Sequence, residues 1–274
     1  MMIMKLFILI IDSRIVSGWE AHEGQFPYML WLRTVRWTGD VTACGGSIIH
    51  HINVCSVIIH AGSVNRNTPR VVMQARQTFR PPGYIDDMQP ITQPNDISLM
   101  RFNNLQPIRI QRSVDRDRDY TNVLMTTSGW ETTWTCPMPV ILNWVYLKGI
   151  SKFLCLLLNN SNWHIRETTV CAIPYNVTSH GICSGDSGIP LTTVEADGVA
   201  SQIGISSFAS GYGCHLGMPG GFTFTRTGHY HDWITQVTGI NFDRRSAVAD
   251  DDLPDVDPGL SPISLPLPNE EIAM

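Results

Sequence analysis

The run Cys183-Ser184-Gly185-Asp186-Ser187-Gly188 sets a serine among small and polar residues that favour a tight turn. By itself, Gly-Asp-Ser-Gly is an ordinary turn. Chemistry offers a second meaning. A serine hydroxyl becomes a useful nucleophile only when a base lies within hydrogen-bond reach, so Ser187 has to be read with its partners elsewhere in the chain. Working outward, six further stretches stand out: Arg14-Ile15-Val16-Ser17-Gly18, Cys44-Gly45-Gly46-Ser47, Pro94-Asn95-Asp96-Ile97, Ser128-Gly129-Trp130, Ser206-Ser207-Phe208 and Asp232-Trp233-Ile234.

Between these stretches the chain alternates short apolar runs with Gly, Pro, Asn and Asp breaks, which predicts an all-β fold. Strands are expected at Tyr28–Leu32, Val57–Ala61, Asn122–Ser128, Asn143–Leu147, Ile203–Phe208 and Gly221–Thr225. One helix is expected over Tyr230–Val237, with Trp233, Ile234 and Val237 on one side and Gly239 to stop it. With 274 residues, 43% hydrophobic and 16% charged, the chain has a folded protein's composition and an ample core. Its formal net charge of −5 is set by the end, where eight acids from Asn241 onward face Arg244 and Arg245. The body is therefore nearly neutral, which removes the electrostatic case for a nucleic-acid partner.

Seven cysteines, none in a Cys-x-x-Cys pair, argue against a zinc or thioredoxin-type site and for disulfides in an oxidising compartment. No cofactor or metal is expected. The greasiest region, Val140–Leu158, is broken by Asn143, Lys148, Ser151 and Lys152, so no membrane span is expected. Lys5 followed by Leu6–Ile11 has the form of a truncated signal peptide, and two sequons, at Asn159 and Asn176, are compatible with export. Five prolines from Pro254 to Pro268 among the acids predict a disordered tail.

Seven landmarks in this order, with a nucleophile among them, resemble the chymotrypsin family of serine endopeptidases, and the C-terminal half resembles the arthropod digestive chymotrypsin and collagenase-like branch. The resemblance spans Ile15 to about Ile240. It implies two packed antiparallel six-stranded β-barrels with a C-terminal helix, the N-terminal barrel being incomplete here. The segments would be a leader (1–14), the protease-like domain (15–240) and the acidic tail (241–274). Within the domain, the first barrel would cover about 15–118, the second about 119–228 and the helix about 229–238.

Residue by residue, the resemblance implies Ser187 as nucleophile and Asp96 as the buried carboxylate that orients the base. Ser207 would lie beside Asp96 and help hold the substrate backbone. Cleavage of Arg14-Ile15 by a trypsin-like protease would free the Ile15 amine to pair with Asp186, ordering the backbone N–H groups of Gly185 and Ser187 as an oxyanion hole. Gly181 matches the pocket floor, with Ala209 and Gly220 on the walls. A floor without an acid argues against Lys or Arg and for an apolar or small P1 side chain. The family disulfides would be Cys155–Cys171 and Cys183–Cys214. Cys44 matches the half-cystine beside the catalytic loop, Cys55 is its nearby candidate partner, and Cys136 is left over.

One element departs from the pattern. In the family the catalytic histidine immediately precedes the second cysteine of the first disulfide, yet Val54 precedes Cys55, and the Cys44–Cys55 interval is short by about ten residues. His50 and His51 come too soon after Cys44, and His60 falls on a strand outside the site. Ile189 replaces a glycine after the nucleophile and brings a β-branched side chain into a tight region, and Glu131 replaces the glycine after Ser-Gly-Trp. The expectation is a secreted, monomeric, zymogen-type serine endopeptidase acting on protein or peptide substrates, nearly inactive as written. The competing expectation is a non-catalytic protease homologue that binds or regulates.

Overall fold

The computed structural model describes residues 18–35, 41–48, 57–74, 78–84, 94–100, 107–130, 139–175, 182, 187–209 and 221–243. The first half supplies β1 (Trp19–Glu20), β2 (Met29–Val35), β3 (Val41–Ser47), β4 (Val57–Ala61), β5 (Val71–Gln74), β6 (Thr78–Phe79), β7 (Leu99–Met100) and β8 (Arg109–Ile110). The second supplies β9 (Leu124–Gly129), β10 (Asn143–Gly149), α1 (Lys152–Leu158), β11 (Thr169–Pro174), β12 (Pro190–Val194), β13 (Ala200–Ala209), β14 (Phe222–Arg226) and α2 (His231–Thr238).

Runs of Val, Ile, Thr and aromatic residues make the second half a sheet closed on itself. Strand β9 pairs with β10, β10 with β11, β11 with β14, β14 with β13 and β13 with β12. Strand β12 returns to β9, so all six contacts are antiparallel and no edge is left in the ring. Met125, Val145, Leu147, Val170, Ala172, Leu191, Ile203 and Phe224 are buried in the same continuous core. The first half is less complete among the described residues: a four-stranded sheet in the order β3-β2-β4-β5 and a separate pair, β6 with β7.

The two halves share the core, with Tyr28, Leu30, Ile48 and Ile59 in the same cluster as Leu147 and Phe224. Cross-links between them are direct. The Trp130 indole N–H donates to the Val64 carbonyl at 2.7 Å, and the Ala21 amide donates to the Leu142 carbonyl at 2.8 Å. Helix α2 ends at Gly239, whose φ of 74° is the left-handed cap that glycine adopts without strain. It packs through Ile234 and Tyr230 on Ile97, Leu99, Ile110 and Phe242. Phe242 is buried and Asp243 accepts hydrogen bonds from the Ser113 amide and hydroxyl, so residues 241–243, grouped by sequence with the tail, are fastened to the domain.

Sequence periodicity missed α1. Its seven residues, KFLCLLL, are almost all apolar and carry no amphipathic period. The local signal is Ser151, whose hydroxyl accepts from the Leu154 amide as an N-cap. A disulfide between Cys155 and Cys171, Cα atoms 6.0 Å apart, staples α1 to β11.

Candidate active site

Strand β13 organises the site. Against β14, Ser206 faces Phe224 while Phe208 faces Thr223, so Ser207 is the extra residue of a β-bulge. The bulge turns the Ser207 hydroxyl onto Asp96, where it donates to Oδ2 at 2.5 Å. One residue earlier, the Ser206 carbonyl accepts from the Gly188 amide at 2.9 Å. Neighbouring residues of one strand therefore hold the candidate nucleophile segment and the candidate carboxylate. Ser187 itself is exposed, as a nucleophile must be.

Backbone geometry fixes both arms. Gly188 has φ of +90°, and a Cβ there would fall 2.4 Å from the Gly45 carbonyl oxygen, so only glycine fits. The Gly45 amide donates to the Ser187 carbonyl at 3.0 Å, tying the nucleophile turn to β3. Ile189 is fully buried. Its Cγ2 lies 2.1 Å from where a Gly45 Cβ would be, so the β-branched side chain that sequence alone marks as intrusive occupies space Gly45 leaves open. On the other arm Asn95 has φ of 62°, which asparagine tolerates better than most residues. Its side chain accepts from the Tyr230 hydroxyl at 3.0 Å and donates to the Pro82 carbonyl at 3.3 Å. The Thr225 hydroxyl donates to the Asp96 carbonyl at 2.8 Å. Sequence reasoning gave Gly45, Tyr230 and Thr225 no role; for Gly45 the available signal was the Gly-Gly pair, and for the other two there was none.

Burial pushes the Asp96 carboxyl above its ordinary range, and the Ser207 hydrogen bond only partly offsets it. Among the described histidines, His164 lines a small pocket together with Asn95 and Ser207. His60 sits on β4 opposite Trp31, edge-on to its ring at 4.8 Å, with Nδ1 3.3 Å from the Arg66 carbonyl. His164 stacks on Trp163, His229 is 3.1 Å from Asp117, His231 is 3.4 Å from Asp243, and His22 faces Glu23. His50, His51, His180 and His215 lie outside the described residues. So do Ile15, Cys55, Cys136, Gly181, Cys183, Gly185, Asp186, Cys214 and Gly220, and Ala209 is placed only as the last residue of β13. Among the described residues no cluster of His, Cys, Asp or Glu could hold a metal ion, and no helix is long and apolar enough to cross a membrane.

A closed six-stranded barrel, a C-terminal helix and a serine–aspartate pair strung on one bulged strand narrow the choice of family, and a family model described as Trypsin matches residues 15–234. The chain belongs to the trypsin family. It is similar to a collagenase of Hypoderma lineatum, 32% identical over 248 residues, covering 84% of this chain and 90% of that protein. It is also similar to Chymotrypsin-2 of Vespa crabro, 30% identical over 237 residues, covering 80% and 98%. Among solved structures, HL collagenase aligns with a TM-score of 0.67 and 30% identity, covering 81% of this chain and 98% of that one. The structure of GrC, at 20% identity, shares the fold with a TM-score of 0.66 and covers 81% and 99%. The fold is chymotrypsin-like and the family is one of serine proteases, as the sequence landmarks imply.

Proposed function

We propose that the chain is a secreted serine endopeptidase-type domain, residues 15–240, whose peptide-bond chemistry is nearly extinguished because Ser187 lacks a histidine base. The observation that carries this is the coupling of Asp96 and the Ser187 turn through Ser206 and Ser207, with Ser207 and Thr225 as the donors to Asp96 among the described residues. In the intended chemistry the Ser187 Oγ attacks the scissile carbonyl carbon and the amine leaves. Water then hydrolyses the acyl-enzyme. Gly185 and Ser187 N–H groups would bind the oxyanion once the Ile15 amine, freed by a trypsin-like protease at Arg14, pairs with Asp186. Gly181, Ala209 and Gly220 would admit an apolar or small P1 side chain. Without a base the hydroxyl proton has no acceptor but water, which costs on the order of a millionfold in kcat, about 8 kcal/mol. A monomer with an intact cleft and so slow a step behaves as a peptide-binding module.

The test uses the purified full chain, cut at Arg14 with immobilised trypsin, in a peptide-ester assay and with an organophosphate label. The expected result is negligible turnover and negligible labelling of Ser187. Brisk hydrolysis that disappears in Ser187→Ala would overturn the proposal.

A further inference from the structure

Helix α1 buries Cys155 and leaves most of its other apolar side chains uncovered. Phe153 and Leu157, one turn apart, are 72% and 57% exposed, and Trp163, just beyond the helix, is 65% exposed. The Ser161 amide donates to the Leu156 carbonyl at 2.6 Å, which folds the loop carrying Trp163 back onto the helix. With a whole aromatic side chain at roughly 200 Å², these residues and Leu154 present about 400 Å² of apolar surface. A patch of that size on a monomer is commonly functional. It is only half of the roughly 800 Å² that each partner buries in a standard stable interface, so it suits a short segment rather than a second copy of the chain.

A charged pocket of about 220 Å³ adjoins the patch. Lys152, the residue before Phe153, lines it, as does Arg166, whose guanidinium lies 5.4 Å over the Trp163 ring. Arg118 and Arg226, the last residue of β14, supply its other cations. The acids of the pocket are already engaged: Glu167 with Lys152, Asp117 with Arg116 and His229, Asp119 with the Thr121 amide and hydroxyl. Arg118 is paired with Glu195. Arg226 and Arg166 have no carboxylate within ion-pair distance among the described residues. Arg226 Nη1 donates at 2.9 Å to the Arg116 and Arg118 carbonyls, while its Nε is buried without a partner. Burial lowers the Arg226 pKa despite the acids nearby, so an added carboxylate would offset an unfavourable charge.

The chain carries a segment with both chemistries in the matching order. Asp243 is fastened to the Ser113 amide and hydroxyl, and one turn beyond Ser113 stands Arg116, whose carbonyl Arg226 holds. The continuation of the chain therefore starts near the pocket. Asp250-Asp251-Asp252 follow seven residues after Asp243, within an extended reach of about 24 Å, and Asp255 and Asp257 extend the run. Next come Leu260, Ile263, Leu265 and Leu267 among Pro258, Pro262, Pro266 and Pro268. Prolines at this density favour a polyproline II helix, the form in which such segments dock on aromatic surfaces.

We propose that the acidic, proline-rich segment 250–268 docks in cis, with its aspartates on Arg226 and Arg166 and its leucines and isoleucine on Phe153, Leu157 and Trp163. Tethering makes so small a patch sufficient. At an effective concentration of about 1 mM, an intrinsic affinity of about 0.1 mM leaves about ten molecules docked for each one free.

The experiment uses the full chain labelled with 5-fluorotryptophan, the Trp163 fluorine resonance being assigned by its loss in Trp163→Phe. Broadening by a soluble gadolinium chelate reads exposure of the ring. We expect Trp163 to broaden about 10-fold less in the parent than in Leu260→Ser/Ile263→Ser/Leu265→Ser, whose changes lie outside the packed domain and should leave the thermal melt unchanged. Asp250→Asn/Asp251→Asn/Asp252→Asn and Arg226→Gln should each move the parent toward the exposed value, and added salt should do the same in the parent. A synthetic peptide spanning residues 249–268 should restore protection to the triple-serine variant saturably. The parent's protection should not change on dilution. Protection that fades on dilution assigns the patch to a second copy, and protection that appears only with anionic vesicles assigns it to a membrane. Either result, or equal broadening in the parent and the tail variants, overturns the proposal.

Discussion

Replacing Gly45 by alanine tests whether the nucleophile turn is held by steric contact with β3. The new Cβ would lie 2.1 Å from Ile189 Cγ2 and 3.3 Å from Ile189 Cβ, against an ordinary contact of 3.4–4 Å. Ile189 must therefore retreat by more than an ångström, yet it is 0% exposed within a close-packed core. Rotation about χ1 brings little relief, because two of the three staggered rotamers set a branch in the slot and the third drives both branches into the packed core around this fully buried side chain. The backbone is pinned as well, by the Gly45 amide on the Ser187 carbonyl and by Gly188 against the Gly45 oxygen. Overpacking of this kind costs about 1–3 kcal/mol, and we expect the upper end, about 3. Ile189→Ala alone should cost about 3 kcal/mol through the cavity it leaves. In that background Gly45→Ala meets only the alanine Cβ at 3.3 Å and should cost almost nothing. The double variant then loses about 3 kcal/mol rather than about 6, a coupling of about 3 kcal/mol. Urea unfolding at neutral pH measures all four corners of the cycle. A midpoint loss of about 6–12 °C for Gly45→Ala in thermal melts would agree. Additivity to within about 0.5 kcal/mol would refute the contact.

Two further outcomes follow from the site and its surroundings. Because burial raises the Asp96 carboxyl, the folded chain holds that proton more tightly than the unfolded chain does. Stability from this group is thus complete below the ordinary carboxylate range and declines as pH rises through the raised value. Asp96→Asn, which can still accept from Ser207, should be more stable than the parent at neutral pH, with the advantage gone in acid; urea midpoints at the two pH values check the sign. Removing the Cys155–Cys171 bridge, with its separation of 16 residues, should cost about 3 kcal/mol by loop closure, read from the unfolding of Cys155→Ala/Cys171→Ala.

The closed barrel was legible because its strands carry their own signals. Val57–Ala61 coincides with β4, the expected runs at 143–147 and 203–208 fall inside β10 and β13, and Gly239 stops α2. What could not be read depends on contacts between distant residues. Nothing in Ser206-Ser207-Phe208 announces a bulge, since the extra residue exists only relative to β14. Ile189 looked out of place because its partner, Gly45, is remote in sequence and its fit is a property of the pair. Helix α1 was hidden for a different reason: after Lys152 its six apolar residues have no polar face from which a period could be read, and Phe153 and Leu157 remain exposed on it.

The carboxylate links stability to chemistry. A partly buried Asp96 carboxylate whose described donor is the neutral Ser207 hydroxyl is an unfavourable charge in the folded chain, and the same electrostatics favours any cation that reaches it. Asp96→Asn and a cation beside Asp96 therefore act on one quantity from opposite directions: the variant removes the charge, and the cation compensates it. If Asp96→Asn stabilises the chain at neutral pH, the carboxylate stands without a compensating charge, as a serine–aspartate pair without a base requires. If Asp96→Asn instead destabilises it at neutral pH, a cation of the chain's own already faces the carboxylate. Such a cation would be the base that the proposed function takes Ser187 to lack, and the peptide-ester assay should then show hydrolysis that Ser187→Ala abolishes.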